Sequence, residues 1–264
     1  MRLSFLKKSF NFYLLVILTI LFCSCISYEN ISFDLYFNSK YLNYSNFFKS
    51  LDYSVFPEYP RTFPLWGYGL FHLLGSNKIL FLIIQQTITF FTLLFFDKEI
   101  LKNNLINKIE YFRFLIVISF PWFLFHTQMW PKSITSNLLI LGIIILIKYL
   151  KTNKFKYIVI SSILFGVLSN FRSDYNYLYI LFFLIIIFNQ KSGLKNYLKS
   201  AVFPALIIIL LIPWMLFTYK QIKTPILTST NSGHVFFIGL GQLPDNYWEI
   251  TPRDDDKVMD SILK

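Results

Sequence analysis

The chain is poor in the residues from which many soluble active sites are built. It has two cysteines, nine glycines and three histidines. Cys23 and Cys25 are too few for a zinc site, and a disulfide across the one residue between them would be strained. His72, His126 and His234 are isolated in the sequence, so no metal site is expected. No glycine-rich phosphate loop, Walker pattern or nucleophile elbow occurs, which argues against direct nucleotide hydrolysis.

Apolar side chains dominate instead, at 55% of the sequence. Several of the apolar stretches are shorter than the ~20 residues that span ~30 Å of hydrocarbon, so their helices should extend into flanking residues. The composition predicts an all-α multi-pass membrane protein with about seven transmembrane helices. The stretches are residues 11–27, 79–96, 112–126, 134–150, 157–170, 176–189 and 201–218.

Acidic residues are also scarce, and the charges alternate along the chain. The N-terminus and every second linker hold 14 of the 25 basic residues but only three of the 14 acidic ones, Asp97, Glu99 and Glu110. The net charge of +11 therefore falls on one face, which the positive-inside rule makes cytoplasmic. The basic residues of these inner linkers are interpreted as topogenic, and nucleic-acid binding is not expected. They are Arg2, Lys7, Lys8, Lys98, Lys102, Lys108, Arg113, Lys148, Lys151, Lys154, Lys156, Lys191, Lys195 and Lys199.

This topology divides the chain into a transmembrane module and a tail. The module covers residues 1–218 and includes an extracytoplasmic loop at 28–78, while residues 219–264 form an extracytoplasmic C-terminal segment. The first apolar stretch resembles a secretory signal, but six more stretches follow it, so an uncleaved helix is expected. The predicted location is a bacterial inner membrane, with the N-terminus in the cytoplasm.

Polar residues at the outer face are the candidates for chemistry. Arg172 and Asp174 lie in a short outer linker, where the arginine either binds phosphate or pairs locally with the carboxylate. Asp34 follows the first helix and is either a general base or a helix N-cap. Lys132, in another outer turn, is either a second phosphate ligand or a lysine that reaches the membrane surface.

Four motifs in a constant order resemble the GT-C class of membrane glycosyltransferases. An acidic residue, Asp34, follows helix one, and a proline-rich segment at 60–68 precedes helix two. Residues 166–174 resemble a glycine-containing helix that ends in an Arg-x-acid turn. Pro213-Trp214, with the later segments 228–233 and 239–244, resembles the loop after helix seven. The chain thus resembles the N-terminal part of this superfamily, which includes protein O-mannosyltransferases and aminoarabinose transferases.

The resemblance implies transfer of a sugar from a polyprenyl-phosphate donor to a lipid, glycan or protein acceptor on the outer face, with inversion. Asp34 would be the general base, Arg172 and Lys132 would bind the donor phosphate, and Asp174 would support Arg172. No particular cofactor follows from the resemblance. Many members of the superfamily carry a second acidic residue in the outer loop after helix three, whereas the outer turn at 127–136 contains none. Asp34 therefore carries more of the proposed mechanism.

Two other interpretations stay open. One is a non-enzymatic membrane protein, such as a flippase for lipid-linked saccharides or a transporter component. The other is a surface polysaccharide polymerase, which would share the donor and the location. The family usually continues through further helices beyond the region that resembles this chain, so either a shortened reading frame or a minimal version is expected.

Overall fold

A computed structural model describes residues 2–29, 50, 77–103, 109–127, 131–171, 175–189 and 193–227. Within these ranges the chain is helical, with no β-strand. The helices are α1 (Arg2–Tyr28), α2 (Lys78–Asn103), α3 (Ile109–Ile118), α4 (Phe120–Thr127), α5 (Pro131–Thr152), α6 (Phe155–Phe171), α7 (Asn176–Asn189) and α8 (Leu194–Ile222). The predicted all-α class is confirmed for the residues that the structure describes.

The helices extend beyond most of the apolar stretches. Helix α7 has the predicted bounds, whereas α2 continues past residue 96 through three successive charged residues, Asp97, Lys98 and Glu99. The predicted stretch 112–126 is divided into α3 and α4 at Ser119. The break lies beside Pro121, which has no backbone N–H to continue the helical hydrogen-bond pattern.

Hydrogen bonds and ion pairs give the relative directions of neighbouring helices. Helices α2 and α5 run parallel, because Thr89 contacts Asn137 and, further along both helices, Glu99 contacts Lys148. Helix α1 is antiparallel to α2, since Tyr13, in the first half of α1, bonds to Asp97 near the end of α2, and Cys23, further along α1, shares a core with Leu93, which precedes Asp97. The polar contacts within each of these two helix pairs therefore join residues at the same level of the bundle.

Helices α5, α6, α7 and α8 enclose one apolar core around Phe165. This buried ring contacts Tyr179, Phe182 and Phe203, with ring centroids 5.1–5.7 Å apart. Gly142 lets α5 approach α6 closely, because a Cβ atom at this position would lie 2.8 Å from the Phe165 ring of α6. Small residues commonly permit such close helix packing in membranes.

A second core joins α1 to α2 and α4. Phe12, Val16 and Cys23 on one face of α1 are buried with Leu93 and Phe123. Val16 and Cys23 follow Phe12 by 4 and 11 residues, so the three positions share one face of the helix. Helix α1 is thus packed into the bundle from Phe12 to Cys23.

The outer surface of the bundle is apolar. Large side chains on α7 and α8 are exposed, including Phe188 at 82% and Leu216 at 64%. Soluble proteins rarely expose contiguous apolar patches of this kind. Three described segments are long and apolar enough to cross a membrane, Asn11–Tyr28, Ile134–Thr152 and Asn196–Lys220, and two apolar helical segments are shorter, Phe155–Phe171 and Leu178–Asn189. A lipid bilayer is therefore the environment that these helices indicate, while the predicted number of seven spans stays a prediction.

Candidate functional site

The residues predicted to carry the chemistry lie mostly outside the described ranges. Asp34, Arg172 and Asp174 are not among the described residues, and Lys132 is the second residue of α5 with its side chain undescribed. Their assignment as base and phosphate ligands stays a prediction. What the structure describes are the helix ends that precede or follow them.

The ends of α6 and α7 on either side of Arg172 and Asp174 are held by side-chain amides. Asn170 Nδ2 donates to the Gly166 carbonyl at 2.9 Å and to the Leu210 carbonyl of α8 at 3.2 Å. The Ser169 hydroxyl lies 3.1 Å from Asn176 Oδ1, which joins the last turn of α6 to the first turn of α7. Gly166 makes the α6–α8 approach possible, since a Cβ there would lie 2.5 Å from Leu210 Cδ1.

A cluster of buried polar side chains lies at the same end of the bundle, between α2, α4 and α5. We call it the amide cluster. The side-chain amides of Gln85 and Gln86 both donate to the His126 carbonyl, the second at 3.0 Å. Because that carbonyl is near the end of α4, these bonds satisfy an acceptor that the helix itself leaves open. The members are Gln85, Gln86 and Thr89 of α2, His126 of α4, and Ser136 and Asn137 of α5.

Further hydrogen bonds connect α2 and α5 within the amide cluster. Asn137 Nδ2 donates to Thr89 Oγ1 at 3.0 Å, and the Thr89 hydroxyl donates to the Gln85 carbonyl at 3.0 Å. Thr89 and Asn137 are fully buried. Buried polar groups stabilise a structure only when they are paired, so these bonds fix the register of the two helices.

The His126 ring is held at both nitrogens. Nδ1 lies 2.8 Å from the Trp122 carbonyl, and Nε2 lies 2.7 Å from Ser136 Oγ. A carbonyl can only accept, so Nδ1 carries a proton, and in the neutral ring Nε2 accepts the Ser136 hydroxyl proton. The ring also packs against Trp122, with centroids 3.9 Å apart.

Gln86 Oε1 is an atom of the amide cluster without a hydrogen-bond partner in the described part of the chain. Gln86 Oε1 is fully buried and accepts no hydrogen bond there, although the Nε2 atom of the same amide is bonded. The whole residue is 6% exposed. A buried acceptor of this kind is costly unless a water molecule or a ligand donates to it.

Ion pairs occupy the opposite end of the bundle. Asp97 binds Arg113 in a bidentate pair, Nε to Oδ1 at 2.9 Å and Nη2 to Oδ2 at 2.8 Å, and the Tyr13 hydroxyl donates to Oδ2 at 2.8 Å. The Arg113 guanidinium also lies 5.1 Å from the centroid of the Phe12 ring. This Tyr13–Asp97–Arg113 triad joins α1, α2 and α3.

A second ion pair joins α2 to α5 at this end. Lys148 Nζ lies 2.8 Å from Glu99 Oε1 and 4.4 Å from the centroid of the Phe95 ring. The sequence interpretation of Arg113 and Lys148 as topogenic linker residues is therefore incomplete. Both are helical and paired, and their acidic partners are buried.

Sequence reasoning missed the amide cluster and the triad. The signal for the first was two adjacent glutamines inside an otherwise apolar stretch, Gln85-Gln86, where polar groups need partners. His126 is a buried, packed side chain, and its bond to Ser136 depends on the turn between α4 and α5. Among the described residues, no three His, Cys, Asp or Glu side chains come together as metal ligands.

No protein-family model, curated protein or solved structure matches the chain. The described side chains at the amide-cluster end of the bundle offer hydrogen bonds from amides, hydroxyls and the His126 ring.

Proposed function

We propose that the chain is a multi-pass membrane glycosyltransferase that uses a polyprenyl-phosphate sugar and acts on the extracytoplasmic face. The observation that carries this proposal is that two helix ends are each hydrogen-bonded to the start of the following helix. The end of α4 bonds to the start of α5 through His126 and Ser136, and the end of α6 bonds to the start of α7 through Ser169 and Asn176. Lys132 and Arg172 lie next to these ends in the sequence.

We propose that Asp34, which follows α1 in the sequence, lies at the same end. Helix α1 packs along α3 and α4 in a parallel direction, because Phe12 contacts Arg113 of α3 and Cys23, further along α1, belongs to the same core as Phe123 of α4. Its last residue is Tyr28, six positions before Asp34. The charge distribution along the sequence supports assigning this end to the outside and the N-terminus to the cytoplasm of a bacterial cell.

In the proposed reaction an acceptor hydroxyl attacks the anomeric carbon as the bond to the donor phosphate oxygen breaks. Asp34 takes the hydroxyl proton, so the acceptor oxygen becomes the new glycosidic oxygen with inverted configuration. Arg172 and Lys132 stabilise the charge that grows on the leaving phosphate, and Asp174 orients Arg172. The isoprenoid tail of the donor stays in the bilayer.

A transporter or flippase component is the second candidate, because charged side chains are buried inside the bundle. The triad at Tyr13, Asp97 and Arg113 has the ionisable residues that membrane transporters use. Its members are paired with one another and lie near one end of α2 instead of its middle, which favours a structural role. The glycosyltransferase is therefore the preferred function.

The two candidates predict different fates for the bond between sugar and phosphate. Membranes that contain the chain are incubated with polyprenyl phosphates carrying a radiolabelled sugar, and membranes without the chain serve as the control. We expect label to move from the donor into a glycan, lipid or protein fraction only when the chain is present. Translocation of intact donor between leaflets, without cleavage of that bond, would identify a flippase and contradict the proposed function.

A further inference from the structure

The pairing of Ser136 with His126 has the arrangement of an activated nucleophile. A serine is activated when its hydroxyl bonds to a base that a third group orients. Here Ser136 Oγ lies 2.7 Å from His126 Nε2, and the Trp122 carbonyl, 2.8 Å from Nδ1, holds the proton on the other nitrogen. We infer that Ser136 and His126 form a second catalytic site that transfers acyl groups from lipid esters.

The depth of the site indicates the class of substrate. Ser136 is five residues into α5, about 7 Å from the helix start at 1.5 Å per residue. It is partly exposed, whereas His126 is fully buried between α2 and α5. A substrate that reaches this level of an apolar bundle is expected to be lipid-borne, and the reactive group of an acyl lipid is an ester carbonyl.

Two features near the pair suit such a reaction. Helix α5 begins at Pro131, so the partial positive charge of its first turn lies about 7 Å along the helix from Ser136 and favours negative charge that develops there. Gln86 Oε1, which has no partner in the described ranges, belongs to the amide that holds the His126 carbonyl. It is a buried acceptor for the hydroxyl of an alcohol.

The reaction balances without a further reagent. Ser136 Oγ attacks the ester carbonyl carbon while its proton passes to His126 Nε2. The tetrahedral intermediate breaks its bond to the alkoxide, which takes that proton and leaves as an alcohol. A second alcohol or water then gives a proton to Nε2 and attacks the carbonyl carbon of acyl-Ser136. The bond between the acyl carbon and Ser136 Oγ breaks, and Nε2 returns the proton to Oγ, which restores the serine and the neutral histidine.

A fluorophosphonate probe tests this site without reference to sugar transfer. Such a probe phosphonylates a serine hydroxyl that a neighbouring base activates. The full-length chain in membranes is treated with the probe, and the modified residue is located by mass spectrometry. We expect an adduct on Ser136, its loss in Ser136→Ala, and labelling about 100-fold slower in His126→Gln.

Ser119 provides a matched control. It is exposed and its hydroxyl donates to the Leu115 carbonyl at 2.6 Å, not to a base, so it should stay unmodified. Absence of an adduct on Ser136, equal labelling of Ser119, or unchanged labelling in His126→Gln would overturn the inference.

A second variant covers the case in which His126→Gln fails to fold. In a background without Cys23 and Cys25, Ser136→Cys keeps His126 in place and should react with iodoacetamide faster than Ser119→Cys. An equal or slower rate would overturn the inference, whatever the outcome of the sugar-transfer assay.

Discussion

Replacing Asp34 by asparagine is expected to lower sugar transfer by about 10²–10⁴-fold, because an amide cannot accept the proton of the attacking hydroxyl. Replacing Arg172 by alanine should lower it by about 10²–10³-fold through loss of charge stabilisation on the leaving phosphate. Both variants keep the apolar stretches unchanged, so expression and helix content should equal those of the original chain. Initial rates of label transfer in membranes are the measurement.

The control for these variants is an acidic residue of the same outer loop. Asp52 lies between Asp34 and the second helix and has no proposed role in proton transfer. Asp52→Asn should therefore keep the full rate. Equal rates in Asp34→Asn, Arg172→Ala and Asp52→Asn would show that the assigned residues do not carry the chemistry.

Replacing Asp97 by alanine is expected to destabilise the folded state by about 3–5 kcal/mol, because Arg113 would stay buried without its carboxylate partner. Asp97 is fully buried and Arg113 is 6% exposed, so water does not replace the lost bonds easily. Tyr13 would also lose its acceptor, and α1 would lose its polar bond to α2. Thermal unfolding of the detergent-solubilised protein is the measurement.

Lys98→Ala is the matched control for Asp97→Ala, since Lys98 is the adjacent residue of the same helix and is exposed. Its melting temperature should stay near that of the original chain. A paired change, Asp97→Leu with Arg113→Met, removes both charges and should recover most of the lost stability. A melting temperature for Asp97→Ala equal to that of Lys98→Ala would contradict a structural role for the triad.

Hydrophobic patterning predicted which segments are helical better than it predicted where each helix ends. The stretch 176–189 became α7 without change, because its apolar residues end at polar neighbours on both sides. Helix α2 continues through Asp97 and Glu99 because ion pairs with Arg113 and Lys148 offset the cost of burying their charges. Such partners are distant in the sequence and cannot be read from one segment.

The two sets of site residues differ in how far the sequence reveals them. Asp34, Arg172, Lys132 and Asp174 follow from charge, sidedness and a family resemblance, and they stay predictions. The amide cluster instead depends on α2 meeting α4 at the His126 carbonyl and on α5 contacting both helices. Glutamines in an apolar run indicate a buried polar contact, but they do not indicate which backbone group receives it.

Fusions of topology reporters test directly whether Arg172 lies on the extracytoplasmic face. Alkaline phosphatase and green fluorescent protein are each fused after Lys154, between α5 and α6, and after Asn176, at the start of α7. Alkaline phosphatase is active only outside the cytoplasm, so we expect activity from the Asn176 fusion and fluorescence from the Lys154 fusion. The reverse pattern, or the same side for both fusions, would contradict the outer-face site.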